Sequence, residues 1–271
     1  SGIDAYLRIA DARPVYGPPF NHDYQEYWSD HPSGVGVYSG ISNALREIKY
    51  NDDGVLDEVH ALRTQVGADV VAFAVASEND VCGMASIGPA PEVMFSASRC
   101  LGGGVIAHEI GHNFGLTHDR GTKNACDPND MDGAYGYRHN GATTGTASFK
   151  TVMSYPCNQY TADDCDNNDG ISCPTIQRFS SATTPYGNIM PGNPGGPGTI
   201  GKVDAAGYIN SVKDEIASYY EATNCISTGD SSQPCASHAD CCSVYCNSQN
   251  VCRRAPTDSP PPPPPSPTVN P

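Results

Sequence analysis

Apolar residues recur along the first part of the chain with two different periods. In residues 41–50 and again in residues 55–66 they favour the spacing of an amphipathic helix. Residues 5–10 alternate between apolar and polar side chains, which predicts a strand. Residues 69–76 form a continuous apolar run, which predicts a buried central strand.

Shorter elements follow these four. Residues 84–87 and 93–98 are candidate strands, and a glycine-rich turn leads into a helix at residues 105–114. Turns dominate after this helix, including a glycine- and proline-rich surface loop at residues 191–198. A helical stripe of apolar residues then occupies residues 203–221. This order predicts a mixed α/β domain with an irregular second half.

The helix after the glycine-rich turn carries the residues of a metal site. His108 and His112 are four residues apart, so their imidazoles project from the same helical face and can share one metal ion. Glu109 lies beside that face, where it can polarise a zinc-bound water. Gly115 lets the helix stop and the chain turn, which delivers His118 as a third nitrogen ligand. Three protein ligands and one open position are the pattern of catalytic zinc.

The segment from His108 to His118 reads His-Glu-x-x-His-x-x-Gly-x-x-His, which resembles the zinc signature of the metzincin metalloproteases. Those proteins also have a downstream methionine turn, and Met153 within residues 151–156 is the candidate for it. The resemblance implies that Met153 is not a ligand. Its thioether would instead form an apolar floor beneath the metal-binding imidazoles.

Two further residues resemble features of particular branches of the metzincin family. Asp119, directly after the third histidine, is similar to the reprolysin (adamalysin) branch, and it is expected to accept hydrogen bonds that brace the turn there. Tyr155, two residues after Met153, resembles the zinc-switching tyrosine of astacins and serralysins. Tyr155 would either approach the metal or the tetrahedral intermediate, or line the S1′ wall with Pro156.

The resemblance covers roughly residues 3–220 and implies an α/β (α+β) metzincin fold. Such a fold has a mixed twisted sheet with helices, an active-site helix and an irregular lower subdomain, with the cleft between the two subdomains. We therefore expect a reprolysin-like metalloprotease domain at residues 1–222. Reprolysin-like domains normally begin with a strand and a long helix before the segment aligned with residues 5–10, so these N-terminal elements are expected to be missing.

The function implied by the resemblance is that of a secreted zinc metalloendopeptidase that hydrolyses peptide bonds in proteins. Three neutral imidazoles leave one zinc ion its full charge, which lowers the pKa of bound water towards about 7. Glu109 would take the proton as general base and return it to the leaving amine. The alternative is a catalytically silent extracellular binding or matrix protein with a metzincin fold, and the intact Glu109 argues against it.

The amino-acid composition of the chain excludes some classes of binding partner. Thirty acidic against 15 basic residues give a formal net charge of -15, which argues against nucleic acid. No apolar run is long enough to span a bilayer. We expect a monomer that acts on protein or peptide substrates, including extracellular matrix or cell-wall proteins. The acidic residues 163–170 hint at calcium, but Cys165 stands where a regular calcium loop has its first Asp, so a solvated loop is favoured.

Twelve cysteines, an even number, indicate an oxidising compartment and disulfide bonds. Six of them fall in the first domain. Proximity along the chain predicts the pair Cys82–Cys100, whose closure is worth about 3 kcal/mol in the chain-entropy model. The remaining four are predicted to form Cys126–Cys157 and Cys165–Cys173.

The other six cysteines lie in residues 223–254, with two adjacent cysteines in the middle of the set. This order resembles the cystine-knot (knottin) framework, which implies the pairs Cys225–Cys242, Cys235–Cys246 and Cys241–Cys252, although other pairings are possible. So short a module must be stabilised by its bridges. It would serve either for targeting or as a cap on the catalytic domain. Residues 255–271 are rich in proline and are predicted to form a disordered tail that favours polyproline II.

Overall fold

The computed structural model describes residues 2–5, 7, 40–51, 56–75, 81–123, 125, 127–157, 172–197, 200–220, 245–246 and 252–253. The chain divides into two compact units, one of Ser1–Ala5 with Arg13–Glu221 and one of Tyr6–Ala12 with Ala222–Pro271. In the second unit, the described residues form one antiparallel pair of short strands, Tyr245–Cys246 and Cys252–Arg253. Each bridge predicted for the cystine knot includes a cysteine outside the described residues.

The first half of the larger unit contains two helices and three strands. They are α1 (Gly40–Lys49), α2 (Glu58–Val66), β1 (Val71–Ala74), β2 (Gly83–Ala85) and β3 (Phe95–Ser98). The strands form one sheet in the order β1-β3-β2, in which β1 runs parallel and β2 antiparallel to β3. The helices and this mixed sheet agree with the α/β class that the sequence predicts.

The central strand differs from the predicted one. The apolar run at residues 69–76 yields only β1, whose residues alternate between half-buried and exposed. By contrast, all four residues of β3 are buried. In the described residues β1 has β3 as its only partner, whereas β3 lies between two strands and also contacts α1 and the helix that begins at Val105. Position in the sheet, rather than local hydrophobicity, therefore decides which strand is buried.

The second half of the unit begins with a nine-residue helix, which is followed by several shorter elements. The helix α3 (Val105–Asn113) begins after Gly104, which has a left-handed backbone with φ 86°. After it come β4 (Thr117–Asp119), α4 (Arg120–Lys123), β5 (Tyr135–Gly136), β6 (Arg138–His139), α5 (Gly141–Thr144) and β7 (Phe149–Lys150). Strand β4 pairs parallel with β5, and β6 pairs antiparallel with β7. This irregular half is the part in which the sequence predicts mostly turns.

The last helix of the unit, α6, spans Ala205–Ile216 and is shorter than the predicted residues 203–221. Asp204 caps its N-terminus, because its side chain accepts a hydrogen bond from the backbone N–H of Gly207. The chain after the helix returns to the sheet. There the guanidinium of Arg63 lies between the rings of Phe95 and Tyr220, with its central carbon 4.8 and 4.2 Å from the two ring centroids.

Two hydrophobic cores hold the unit together. One lies between the sheet and the first two helices and includes Ile41, Ile48 and Phe95. The other includes Phe114 and Leu116 after α3, Met153, and Ile209 of α6. The second core fixes the C-terminal end of α3 against the segment that contains Met153.

Disulfide bonds join two pairs of cysteines in the described residues. The predicted pair Cys82–Cys100 is confirmed, with an S–S distance of 2.07 Å. The predicted pairs Cys126–Cys157 and Cys165–Cys173 are wrong, because Cys157 is bonded to Cys173. The chain near Cys173 returns alongside β7, where the N–H of Ile176 donates to the carbonyl of Lys150, and this return brings the two sulfurs together. Cys126 and Cys165 lie outside the described residues.

None of the described helices is long and apolar enough to cross a membrane.

Candidate metal centre

The three predicted histidine ligands meet at one point. His108 and His112 come from α3, and His118 comes from β4. The Nε2 atom of His112 lies 3.1 Å from the Nε2 of His108 and 3.1 Å from the Nε2 of His118. The ligand atoms of all three residues lie within 4.8 Å of one another, so this group could hold a metal ion.

The other ring nitrogens show which tautomer faces the centre. Nδ1 of His108 lies 2.8 Å from the carbonyl oxygen of Val152, and Nδ1 of His112 lies 2.8 Å from that of Leu116. A carbonyl only accepts, so each Nδ1 carries the proton and each Nε2 presents a lone pair. Two lone pairs 3.1 Å apart cannot hydrogen-bond to each other, whereas a cation between them satisfies both. A tetrahedral zinc with Zn–N distances near 2.05 Å separates its ligand nitrogens by about 3.3 Å, so the donor set fits zinc.

The histidines are held in the neutral form that binds metal. Burial lowers the pKa of His108. Burial, followed by the neighbouring histidine charge, lowers the pKa of His112 to about 4, and the same causes lower that of His118 to about 3. All three rings are therefore uncharged at neutral pH without any need for a metal to displace protons.

The turn between the second and third histidines requires glycine for two reasons. Gly115 has a left-handed backbone with φ 92°, and it allows the N–H of Leu116 to donate to the carbonyl of Gly111. A Cβ atom at Gly115 would also lie 2.8 Å from the hydroxyl oxygen of Tyr208. Glycine thus provides both the reversal and the space that bring His118 to the other ligands.

Glu109 lies in α3 with only 5% of its surface exposed. Burial raises the pKa of its carboxyl group to about 7. The side chain faces β2 at Gly83, where a Cβ atom would lie 2.6 Å from Cγ and 2.7 Å from Cδ of Glu109. A carboxyl group with a pKa near neutrality can both accept and return a proton, which is what a general acid and base needs.

Met153 lies beneath α3 and is fully buried. Its sulfur would be 2.6 Å from a Cβ atom at Gly111, so the helix approaches the methionine at a position that has no side chain. The carbonyl of the preceding residue, Val152, is the one that accepts the hydrogen bond from His108. The Met153 segment therefore supports the helix by packing and orients one ligand by a hydrogen bond.

Asp119 links the strand that carries His118, the third predicted ligand, to the Met153 segment. It is buried, and its carboxylate lies 2.8 Å from Nη2 of Arg138. It also accepts hydrogen bonds from the backbone and hydroxyl of Thr122 and from the backbone N–H of Tyr155, the last at 3.0 Å. The ring of Tyr155 packs against His118, with 4.0 Å between the ring centroids.

A model of metallopeptidase family M12 (Reprolysin_5) matches residues 29–169, which is just over half of the chain. The chain belongs to this family. The predicted relationship to reprolysin-like metzincins is thereby confirmed at the level of the family.

Three bacterial relatives named peptidyl-Asp metalloendopeptidase are similar to this M12 chain. The identity is 31% over 153 residues for the protein of Stenotrophomonas maltophilia K279a, 27% over 152 residues for that of strain R551-3, and 29% over 153 residues for that of Xanthomonas campestris pv. campestris. Each match covers 55% of this chain and 32 or 33% of the relative. The chain thus spans about a third of the length of the relatives that it matches.

A solved structure titled "Structure of a chaperone-substrate complex" also matches the M12 chain. It has a TM-score of 0.40 and 21% sequence identity, and it covers 67% of this chain and 27% of the other. A similarity at this level supports no conclusion about fold or function.

Sequence reasoning about this M12 chain missed three residues near the centre. Arg138, the ion-pair partner of Asp119, comes from β6, and Gly83, which faces Glu109, comes from β2. Lys150, at the end of β7, reaches the segment after Met153. None of them stands at a characteristic spacing from the zinc motif, so only the fold brings them to it. The acidic residues 163–170 considered for calcium lie outside the described residues.

Proposed function

We propose that the chain is a zinc-dependent endopeptidase in which His108, His112 and His118 hold one zinc ion. The observation that carries this proposal is the convergence of three Nε2 atoms, two of which present lone pairs because the Nδ1 protons of their rings are fixed by backbone carbonyls. Membership of family M12 and the names of the three relatives support it. When bound, zinc supplies Lewis-acid chemistry, since it acidifies water and polarises a peptide carbonyl group.

Glu109 moves the proton in the proposed reaction. Its carboxylate accepts a proton from the attacking water and then donates it to the nitrogen of the leaving amine, so the residue ends each cycle in its starting state. The pKa of about 7 that burial gives this carboxyl group suits both transfers at neutral pH. Gly83 leaves the space that the carboxylate occupies.

The neighbouring residues position these groups in the proposed site. Met153 supports α3 from below, Gly115 sets the turn to the third ligand, and Asp119 braces the strand that carries it. Tyr155 is included in the proposed site, and the packing of its ring against His118 supports this. Replacing Tyr155 with Phe distinguishes its two predicted roles. The change removes the hydroxyl group that would approach the reacting centre, but it keeps the ring that would line the S1′ wall.

The compartment and the substrate are also proposals. Two disulfide bonds in the described residues favour an oxidising compartment, which supports secretion. The printed names of the relatives favour cleavage beside aspartate, and we extend that preference to this chain. A monomeric state and matrix or cell-wall substrates stay predictions from the sequence.

The test is the Glu109→Gln variant of the full chain, assayed on casein with and without a chelator. We expect the variant to keep its zinc and to lose hydrolysis by at least about 100-fold, as removal of a general base does. Glu92→Gln is the matched control, since Glu92 is an exposed acid outside the site. Undiminished cleavage by the Glu109→Gln variant would defeat the assigned role. A zinc-loaded wild-type chain that cleaves no protein would instead favour the silent binding protein.

A further inference from the structure

Lys150 lies at the end of β7, and its side chain reaches the segment that follows Met153. Its backbone is fixed on both sides, because its N–H donates to the carbonyl of Pro174 and its carbonyl accepts from Ile176. Its side chain runs along the Met153 segment, and Nζ donates a hydrogen bond of 2.7 Å to the carbonyl oxygen of Ser154. Ser154 directly precedes Tyr155, whose ring packs against His118. The ammonium group therefore lies beside the part of the chain that borders the third ligand.

No acid of the described residues forms an ion pair with this ammonium group. Lys150 is partly buried, and no carboxylate of the described residues lies within 4.0 Å of its Nζ atom. The charges that act on it are those of Asp119 and Arg138, which oppose each other and are paired with each other. An ammonium group has three N–H donors, and the bond to Ser154 uses one of them. Two donors on a partly buried cation remain for an anionic ligand.

Lys123 is the other cation near the predicted ligands, on α4 just after the strand that carries His118. Lys123 is exposed, so water and salt screen its charge strongly, whereas Lys150 is only partly exposed and its charge is screened less. Of these two cations, Lys150 is therefore the one whose charge can act more strongly on a charged group of a substrate.

The negative net charge of the chain affects how it could bind an acidic substrate. A formal charge of -15 repels acidic peptides as a whole, so a preference for an acidic residue requires a local positive charge. We infer that Lys150 is a specificity-determining residue that binds the side-chain carboxylate of an aspartate flanking the scissile bond. This inference rests on the proposed peptidase function and adds the group that would select the substrate.

The experiment compares peptides that differ only in Asp against Asn, placed in turn on each side of the cleaved bond. We expect the zinc-loaded wild-type chain to prefer Asp on one side. Lys150→Met should lower kcat/KM for that Asp peptide by at least about tenfold and leave the Asn peptide within about twofold. Lys150→Arg should keep the preference, and Lys150→Glu should shift it towards a peptide with Lys at the same position. Lys123→Met is the matched control and should behave as wild type.

Zinc content and thermal unfolding of each variant are measured alongside. If Lys150→Met lowered kcat/KM equally for the Asp and Asn peptides, the inference would be overturned. Such a result would show that the lysine only braces the Met153 segment. A wild-type chain that cleaves Asp and Asn peptides equally would overturn it too, while the peptidase proposal would stand. Cleavage of neither peptide, nor of casein, by the zinc-loaded wild type would instead refute the peptidase function.

Discussion

Gly83 and Glu109 face each other where β2 meets α3, and the glycine is the only residue type that fits against the glutamate. A Cβ atom at Gly83 would lie 2.6 Å from Cγ of Glu109, closer than real side chains approach. The carboxylate therefore takes its position from a neighbouring strand as well as from its own helix. The place of the proposed proton-transfer group depends on a residue that contributes no functional group of its own.

This contact predicts the effect of Gly83→Ala. The added methyl group must displace the Glu109 carboxylate, and a displacement of about 1 Å at a catalytic group costs about 100-fold in rate. We expect kcat to fall by that order while zinc content stays at the wild-type level. Gly102→Ala is the matched control, because a Cβ atom there meets no atom within 4 Å. Wild-type kcat in Gly83→Ala would show that Glu109 does not act from the observed position.

The buried ion pair of Asp119 and Arg138 predicts a large change in stability. Arg138→Met leaves the buried Asp119 carboxylate without its cation, which is expected to lower the free energy of unfolding by about 3–5 kcal/mol. Urea denaturation measures the change. The comparison is Lys213→Met, which removes the cation of an ion pair with the exposed Asp214. This change should lower the free energy of unfolding by less than about 1 kcal/mol. If the two variants were equally stable, the Asp119–Arg138 pair would have no structural role.

The lowered pKa values of the histidines predict how the proposed zinc ion is lost in acid. A lowered pKa means that the neutral form, which binds metal, persists to lower pH than in a free imidazole with a pKa of about 6.5. With the pKa of His112 at about 4 and that of His118 at about 3, we expect zinc content to hold from pH 7 to about pH 5 and to fall near pH 4. Metal analysis after dialysis at each pH measures it. Half-release near pH 6.5 would contradict the lowered values.

The same shifts affect the stability of the metal-free chain. Below about pH 6.5 the unfolded histidines bind protons that the folded ones do not, so stability should decrease as the pH falls towards 4. The Glu109 carboxyl group opposes this trend. Its folded pKa of about 7 is higher than the unfolded value, so it adds stability at low pH and loses that contribution as the pH rises through 7. Because two of these histidines oppose one carboxyl group, their effect on the free energy of unfolding should outweigh that of Glu109 between pH 4.5 and 6.5.

The sequence was sufficient for the parts of the site that depend on neighbours along the chain. His108 and His112 share a helical face because they are four residues apart, and Gly115 predicts the turn to His118 from the same short segment. The pairing of Cys82 with Cys100 is local in the same sense. Each of these follows from helix geometry, glycine conformation or a short loop.

Relationships between distant segments could not be derived in this way. The burial of β3 depends on its place between two strands, and the run at residues 69–76 carries the stronger hydrophobic signal although it forms a less buried strand. The Cys157–Cys173 bond depends on the return of the chain beside β7. The partnership of Asp119 with Arg138 requires β4 and β6 to meet. All three are consequences of tertiary packing that local patterns do not encode.

The position of Arg63 between Phe95 and Tyr220 has a mechanical consequence. A pulling force applied to the chain beyond Tyr220 would meet this stacked cation first, and from it the load would pass to Phe95 on the central strand. The guanidinium is also held by the carbonyls of Ala68, Asp69 and Pro91, so it is anchored at several points. A tether attached at the C-terminal end would thus load the sheet, and through β3 the load would reach α3, the helix that carries His108 and His112.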